Sequence, residues 1–341
     1  MKKLLNTLYV QTQGIYLRQE GETVVAEKDG KVLMRLPIHT LSGLVTFGNV
    51  MASPYLLHLC AERGVGVSFL SEHGRFLARV SGPVSGNVLL RVAQMRAHDD
   101  AARKGDIARS CVLGKIANNR NLLLRHVRDH GGNPELLSAA SRLANILLRL
   151  KNSPADAAIV RGLEGEAAAA YFAVFNHLLL ANQSAFSIAS RNRRPPVDPM
   201  NSLLSFLYTL LAHDCRSALE GVGLDPQIGF LHELRPGRPG LALDLMEEFR
   251  APLADRLALA LVNRQQLAPK DFKTSESGAV QLSDDARKTV LLAWQQRKQE
   301  TVTHPFLDEK VPVGLLPHLQ ALLLARHLRG DLDAYPPWIP K

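Results

Sequence analysis

Apolar positions recur with two different periods along this chain. Up to about residue 90 they come in short runs of β-formers: Leu8-Tyr9-Val10, Ile15-Tyr16-Leu17, Thr23-Val24-Val25 and Val32-Leu33-Met34. Gln13-Gly14, Glu20-Gly21 and Asp29-Gly30 punctuate them, and such dipeptides between apolar runs predict strands joined by tight turns. Asp29-Gly30 carries the strongest hairpin signal, because a two-residue turn needs positive φ, which Asp and Gly tolerate. Residues 44–47 (LVTF) and 65–70 (VGVSFL) read as buried strands, and a last strand is expected over 76–80. Between them Leu56, Leu57, Leu59 and Cys60 fall at helical spacing, with Gly64 placed to end a helix over 53–63.

After Gly86 the apolar period lengthens to that of a helix, and Ala and Leu become frequent. Helices are expected over 88–105, 106–129, 134–150, 154–178, 198–220, 250–265, 284–299 and 312–328. Ser153-Pro154 and Asp198-Pro199 have the form of an N-cap followed by proline at the first helical position. Residues 188–197 (IASRNRRPPV) and 233–241 (ELRPGRPGL) read as loops, and the Pro-rich end, 335–340, as a docked or disordered tail. The pattern predicts an α+β protein, with a small β-rich N-terminal domain over 1–86 and a larger all-α domain over 87–341.

With 341 residues, 46% of them apolar, the chain can bury a sizeable core and lacks a disordered composition. Mean hydropathy is −0.04, and no apolar run reaches the roughly 18 residues of a membrane span. Asn6, Thr7 and Gln11 interrupt any apolar signal segment near the start, so the cytoplasm is the expected compartment and no membrane the expectation. Cys60, Cys111 and Cys215 lie far apart with no CxxC pair, which argues for reduced thiols. The net charge of +9 is uneven: residues 91–151 hold twelve Lys/Arg against five Asp/Glu. Arginine dominates that stripe, Arg120 and Arg125 among them, and its planar fork suits phosphate oxygens. The stripe predicts nucleic-acid binding that weakens with salt; a solvated helix face is the alternative.

Three segments carry the candidate chemistry: GLEGEAAAAYF (162–172), GFLHELRPGRPGLALDL (229–245) and DLMEEFR (244–250). Glu164, His232 and Glu247 within them would make a mixed nitrogen and oxygen site, which suits Mg²⁺ or Mn²⁺ better than structural zinc. Residue by residue, other readings stay open. Glu164 lies at the edge of the apolar face formed by Leu163, Ala167, Ala170 and Val174, and near a helix start the macrodipole also favours a surface Glu. His232 follows an apolar stretch and fits a satisfied structural histidine. Asp244 would share a helical face with Glu247 or Glu248, an arrangement that needs either a cation or arginines such as Arg235 and Arg250. Walker-type glycine loops, dinucleotide fingerprints and nucleophile elbows are absent from the sequence.

Taken in order, RGLEGEAAAAYF, SRNRRPPVDPMNSLLSFLYTLL and GLDPQIGFLHELRPGRPGLALDLMEEFRAPLADR resemble the CRISPR-associated endonuclease/integrase of the spacer-adaptation module, the first Cas protein family. The resemblance extends to the β-rich start, through PIHTLSGLVTFGNVMASPYLLHLCAERGVGVSFLSEHGRF. It implies a dimerising N-terminal domain and a helical domain that binds DNA and metal and performs catalysis. It implies Glu164, His232 and Glu247 as catalytic ligands of Mg²⁺ or Mn²⁺, with Asp244 and Glu248 auxiliary. Arg193, Arg194 and Asn201, in the middle motif, would hold DNA or order the site. The activity implied is joining of prespacer DNA into the CRISPR repeat array by a 3′-hydroxyl attack on a phosphodiester. The partners implied are a second copy of the chain and the small ferredoxin-like second Cas protein; the middle and last motifs suggest a type I-C setting. Two other readings compete: a non-catalytic basic DNA-binding scaffold, and a metal-dependent phosphohydrolase of small molecules.

Overall fold

The computed structural model describes residues 6–72, 76–80, 88–192 and 195–340. The chain divides into two compact units, Met1–Gly86 and Asn87–Lys341.

The first unit holds β1 (Asn6–Val10), β2 (Ile15–Glu20), β3 (Thr23–Lys28), β4 (Lys31–Pro37), β5 (Leu41–Phe47), β6 (Val50–Ala52), helix α1 (Pro54–Glu62), β7 (Gly66–Leu70) and β8 (Phe76–Val80). One sheet runs β1-β5-β7-β8, the other β4-β3-β2-β6. The expected hairpin joins β3 to β4, with Lys28 opposite Lys31 and Asp29 and Gly30 at φ 51° and 75°. Ser53 caps α1 by accepting from the Leu56 amide at 3.2 Å. Leu17, Val24 and Ala26 from one sheet, Leu44 and Val67 from the other, and Leu56 and Leu59 from α1 share one buried cluster.

The second unit is mostly helical: α2 (Val88–Asp99), α3 (Ala101–His130), α4 (Pro134–Asn152), α5 (Ala157–Ala173), a short α6 (Gln183–Phe186), α7 (Pro199–Gly221), α8 (Gly240–Glu247), α9 (Arg256–Asn263), α10 (Asp284–Gln299) and α11 (Leu316–Arg329). A π-helical turn, Arg250–Asp255, links α8 to α9. Two hairpins, β9 (Phe272–Thr274) with β10 (Val280–Leu282) and β11 (Thr301–His304) with β12 (Glu309–Pro312), add to the all-α expectation. Their strands of three and four residues are too short for alternation to register.

Caps moved two helix boundaries. The break expected at 105/106 lies at Asp100, whose carboxylate accepts from the Ala102 and Arg103 amides at 3.0 and 3.1 Å. Gly105 is mid-helix, where the chain crosses so closely that an added Cβ would lie 1.8 Å from the Ala155 carbonyl oxygen. Helix α5 starts at Ala157, capped by Asp156, whereas the Ser153 hydroxyl turns back to the Leu150 carbonyl at 2.9 Å. At α7 the expected cap holds, with Asp198 accepting from the Asn201 amide at 2.7 Å and Pro199 in the first turn. Helix α3 packs against α2, α4, α5, α8 and the π-turn. The tail is docked, with Tyr335 and Trp338 each 2% exposed.

Candidate metal centre and nucleic-acid interface

Local backbone geometry builds the His232 side of the site. Asp244 on α8 is fully buried, yet its carboxylate is saturated. Oδ2 accepts from the Phe230 and Leu231 amides at 2.5 and 3.0 Å, and Oδ1 from the His232 amide at 3.0 Å. The His232 ring reaches the same Oδ1 through Nδ1 at 2.6 Å. A carboxylate can only accept, so Nδ1 carries a proton, and in the neutral form of the ring the lone pair lies on Nε2. Gly229 permits this closeness, since a Cβ there would lie 2.9 Å from Asp244 Oδ2 and 2.7 Å from the Gly240 carbonyl carbon. The sequence placed Asp244 one turn before Glu247; the structure shows it holding the imidazole by its edge.

Glu247 and Glu164 meet at a residue the sequence reading passed over. Glu247, 3% exposed at the end of α8, faces Arg250 at 3.0 Å through Oε1 and the Lys115 ammonium at 2.7 Å through Oε2. Lys115 also pairs with Glu164 of α5. The approach of Lys115 to Glu247 lacks hydrogen-bond geometry, and Oε2 is a buried oxygen without a hydrogen-bond partner. Burial alone would raise the Glu247 pKa, but Arg250, Lys115 and His232 outweigh it and hold the carboxyl down at about 2. One signal could have found Lys115: Ala108, Cys111, Val112, Ile116 and Asn119 are buried on α3, and Lys115 falls on that face at helical spacing. A lysine on a buried face requires an acidic partner.

Glu248 points elsewhere. Its Oε1 accepts from the Tyr335 hydroxyl at 2.5 Å, and Oε2 from the Trp338 amide and the Gln320 side chain at 2.7 and 2.9 Å. Burial pushes its pKa up to about 8, although these three donors pull the other way. Gly114 makes room for it, since a Cβ there would lie 2.9 Å from Glu248 Cγ. The adjacent glutamates therefore divide the work: Glu247 faces Lys115 and Arg250, and Glu248 pins the tail.

The π-turn aims Arg250 back at Glu247. The Arg250 guanidinium lies 4.9 Å from the Tyr208 ring centroid and that of Arg191 5.2 Å from the same ring. The Tyr208 and Tyr171 hydroxyls donate to Asp255 at 2.6 and 3.0 Å. Burial raises the Asp255 pKa from 3.8 to about 6 against the pull of these hydroxyls, Arg250 and Arg191. A carboxyl raised in the folded state stabilises most below its unfolded pKa and loses that contribution as pH climbs to the folded value. Relative to Asp255→Asn, the wild type should lose about 1.4 kcal/mol per pH unit between pH 4 and 6, then no more. Denaturant unfolding of both proteins at pH 4.5, 6 and 7.5 checks this; parallel profiles would place the titration elsewhere.

The predicted DNA contacts divide. Arg193 and Arg194 lie outside the described residues. Asn201 is buried: it accepts from Arg191 Nη1 at 2.5 Å and donates to the Ser190 carbonyl at 2.9 Å and Asp198 at 2.6 Å. It ties Ser190 and Arg191 to Asp198 at the start of α7, the ordering role that was the alternative to holding DNA. Arg125 is exposed and pairs with Asp129 at 3.3 Å, whereas Arg120 is half-buried. Part of the stripe is neutralised internally, through Arg109 with Asp106, Arg128 with Asp129, and Arg142 and Arg149 with Glu166. Near Arg125 positive charge nevertheless accumulates: burial, with Arg297 and Arg125 as like charges, lowers Arg256 to about 10.

Among the described residues, no three His, Cys, Asp or Glu side chains stand close enough to be a formed metal cluster. The donor set still fits a divalent cation. Two carboxylates share one cation, a buried carboxylate oxygen lacks a hydrogen-bond partner, and a neighbouring imidazole is held by a carboxylate in the tautomer that ligates. No described helix is long and apolar enough to cross a membrane.

Converging carboxylates and an imidazole, with an arginine-rich face on the same unit, are the equipment of proteins that process phosphodiesters. Residues 8–296 match the family described as CRISPR associated protein Cas1. A relative from Rhodospirillum rubrum, CRISPR-associated endonuclease Cas1 2, is 56% identical over 347 residues, with 100% of each chain covered. The chain belongs to the Cas1 family. Two solved structures share its fold. One is a chain of a Cas6-RT-Cas1–Cas2 complex, with TM-score 0.83, 23% identity and coverage of 99% of this chain and 36% of that one. The other is a casposase bound to its integration product, with TM-score 0.82, 22% identity and coverage of 98% and 93%.

Proposed function

We infer that this protein is the DNA endonuclease and integrase of CRISPR spacer acquisition, joining short prespacer DNA into the repeat array in antiviral defence. The observation that carries the reading is the meeting of Glu164 and Glu247 at one buried cation, with His232 fixed nearby by Asp244. Glu164, His232 Nε2 and Glu247 are the ligands for one Mg²⁺ or Mn²⁺. A divalent ion held there supplies Lewis acidity at the phosphoryl oxygen and eases deprotonation of the attacking 3′-hydroxyl.

The chain's own residues do the rest. Asp244 orients the imidazole, Arg250 keeps Glu247 ionised, and burial excludes water from the carboxylate. Arg120 and Arg125, with the cluster around Arg256 and Arg297, present positive charge to the DNA backbone; Arg193 and Arg194 of the middle motif are further DNA contacts in this reading. Sequence preference then comes from duplex shape more than from base edges. The protein works as a homodimer through its N-terminal unit, with the small ferredoxin-like second Cas protein, in the cytoplasm. The complex in which a similar fold was solved supports the Cas2 partner. A type I-C system is the proposed setting.

The test is a branched DNA carrying a repeat and a labelled strand, incubated with the protein, with and without the small partner, in Mn²⁺ or EDTA. Metal-dependent cleavage or joining is expected, with EDTA abolishing chemistry while leaving DNA binding in place. Binding without chemistry in either condition would make the protein a scaffold, and turnover of small phosphate esters unaffected by DNA would make it a phosphohydrolase.

A further inference from the structure

Lys115 is a long cation placed where the proposed ligand set would expect a divalent ion. Its side chain is 6% exposed, and its ammonium pairs with both Glu164 and Glu247. The charges around it are already largely compensated: the carboxylates of Glu164 and Glu247 face the cations Lys115 and Arg250, and the carboxylate of Asp244 has the His232 ring donating to it. A divalent ion added to that set would leave uncompensated positive charge in a largely buried site, which is unfavourable. One cation has to yield. Arg250 is held by stacking on Tyr208 as well as by Glu247. Lys115 pairs with the two carboxylates themselves, and lysine is a single point charge on a flexible stem.

We propose that Lys115 is the internal counter-cation of the metal-free site: it holds Glu164 and Glu247 together, and it is displaced when a divalent cation binds. The inference rests on the ligand reading given above. It assigns Lys115 a positioning role, since its ammonium acts on the carboxylates rather than on substrate. It also accounts for how two acidic side chains, one 3% exposed, lie side by side.

The test is a Mn²⁺ titration of the full-length, metal-stripped protein without DNA, read as free Mn²⁺ by electron paramagnetic resonance and, in parallel, as Tm. Lys115→Met removes the competing charge, so Mn²⁺ affinity should rise about tenfold or more. The metal-free variant should melt below the wild type, and Mn²⁺ should raise its Tm further than it raises that of the wild type. Lys115→Arg keeps the charge and should show no such gain. Lys115→Gln, which retains a hydrogen-bond donor, carries the same measurement if the methionine variant does not fold. Mn²⁺ affinity unchanged or weakened in Lys115→Met and Lys115→Gln, but lost in His232→Ala, would overturn the displacement and leave the ligand set standing. Binding as in the wild type in both Glu164→Ala and His232→Ala would remove the ligand set, and the inference with it.

Discussion

Replacing His232 with alanine is expected to lower metal-dependent joining of prespacer DNA on the order of 10³-fold, equivalent to about 4 kcal/mol of transition-state stabilisation. Glu164→Ala should do the same. The unit should stay folded in both variants, because each side chain is partly exposed, 18% for His232 and 22% for Glu164. In Glu164→Ala the Lys115 ammonium keeps Glu247 as its partner, so no buried charge is stranded. DNA affinity should change little, since the arginine-rich face is untouched. Circular dichroism, salt-dependent DNA binding and single-turnover strand transfer together separate these effects. Wild-type rates in a folded His232→Ala protein would return that histidine to a structural role.

The second large effect is expected at Asp244, where removal and isosteric replacement should differ in kind. Asp244→Ala strands three backbone amides and an imidazole in a buried pocket. The cost should be about 4 kcal/mol, or about 10 °C in Tm, because several buried donors lose their acceptor at once. Asp244→Asn fills the same space and keeps one acceptor oxygen. If that oxygen stays with the Phe230 and Leu231 amides, the new amide donates to His232 Nδ1. The imidazole proton then moves to Nε2 and covers the lone pair that would bind metal. Asp244→Asn should therefore unfold within a few °C of Asp244→Ala or above it, yet bind Mn²⁺ about 10- to 100-fold more weakly than the wild type. A Mn²⁺ affinity equal to the wild type in a folded Asp244→Asn protein would show that the tautomer is not set by this contact.

How much of this was legible beforehand depended on the range of the interaction. The Asp29-Gly30 turn and the Asp198-Pro199 start of α7 are local, and the flanking residues announce them. The break expected at 105/106 missed the Asp100 cap, and Gly105 falls inside α3 and not at a helix end. Its smallness serves the crossing of Ala155 instead, a contact between positions 50 residues apart. The resemblance left Asn201 either holding DNA or ordering the site. Its burial goes with its bonds to Arg191, Ser190 and Asp198, which no spacing in the sequence expresses.

The sequence by itself determined the two kinds of structure, the basic surplus and the family. Periodicity, turn chemistry and ordered motifs are properties of neighbours along the chain. The third dimension alone decided the division of labour at the site. Asp244 folds onto the 230–232 amides, Glu247 and Glu164 meet at Lys115, and Glu248 turns away to the tail. Each of those pairings crosses from one element to another, and what decides it is burial. A charged group taken out of water must find an opposite charge or a hydrogen-bond partner. Which partner it finds is settled by the packing of α3, α5, α8 and the tail.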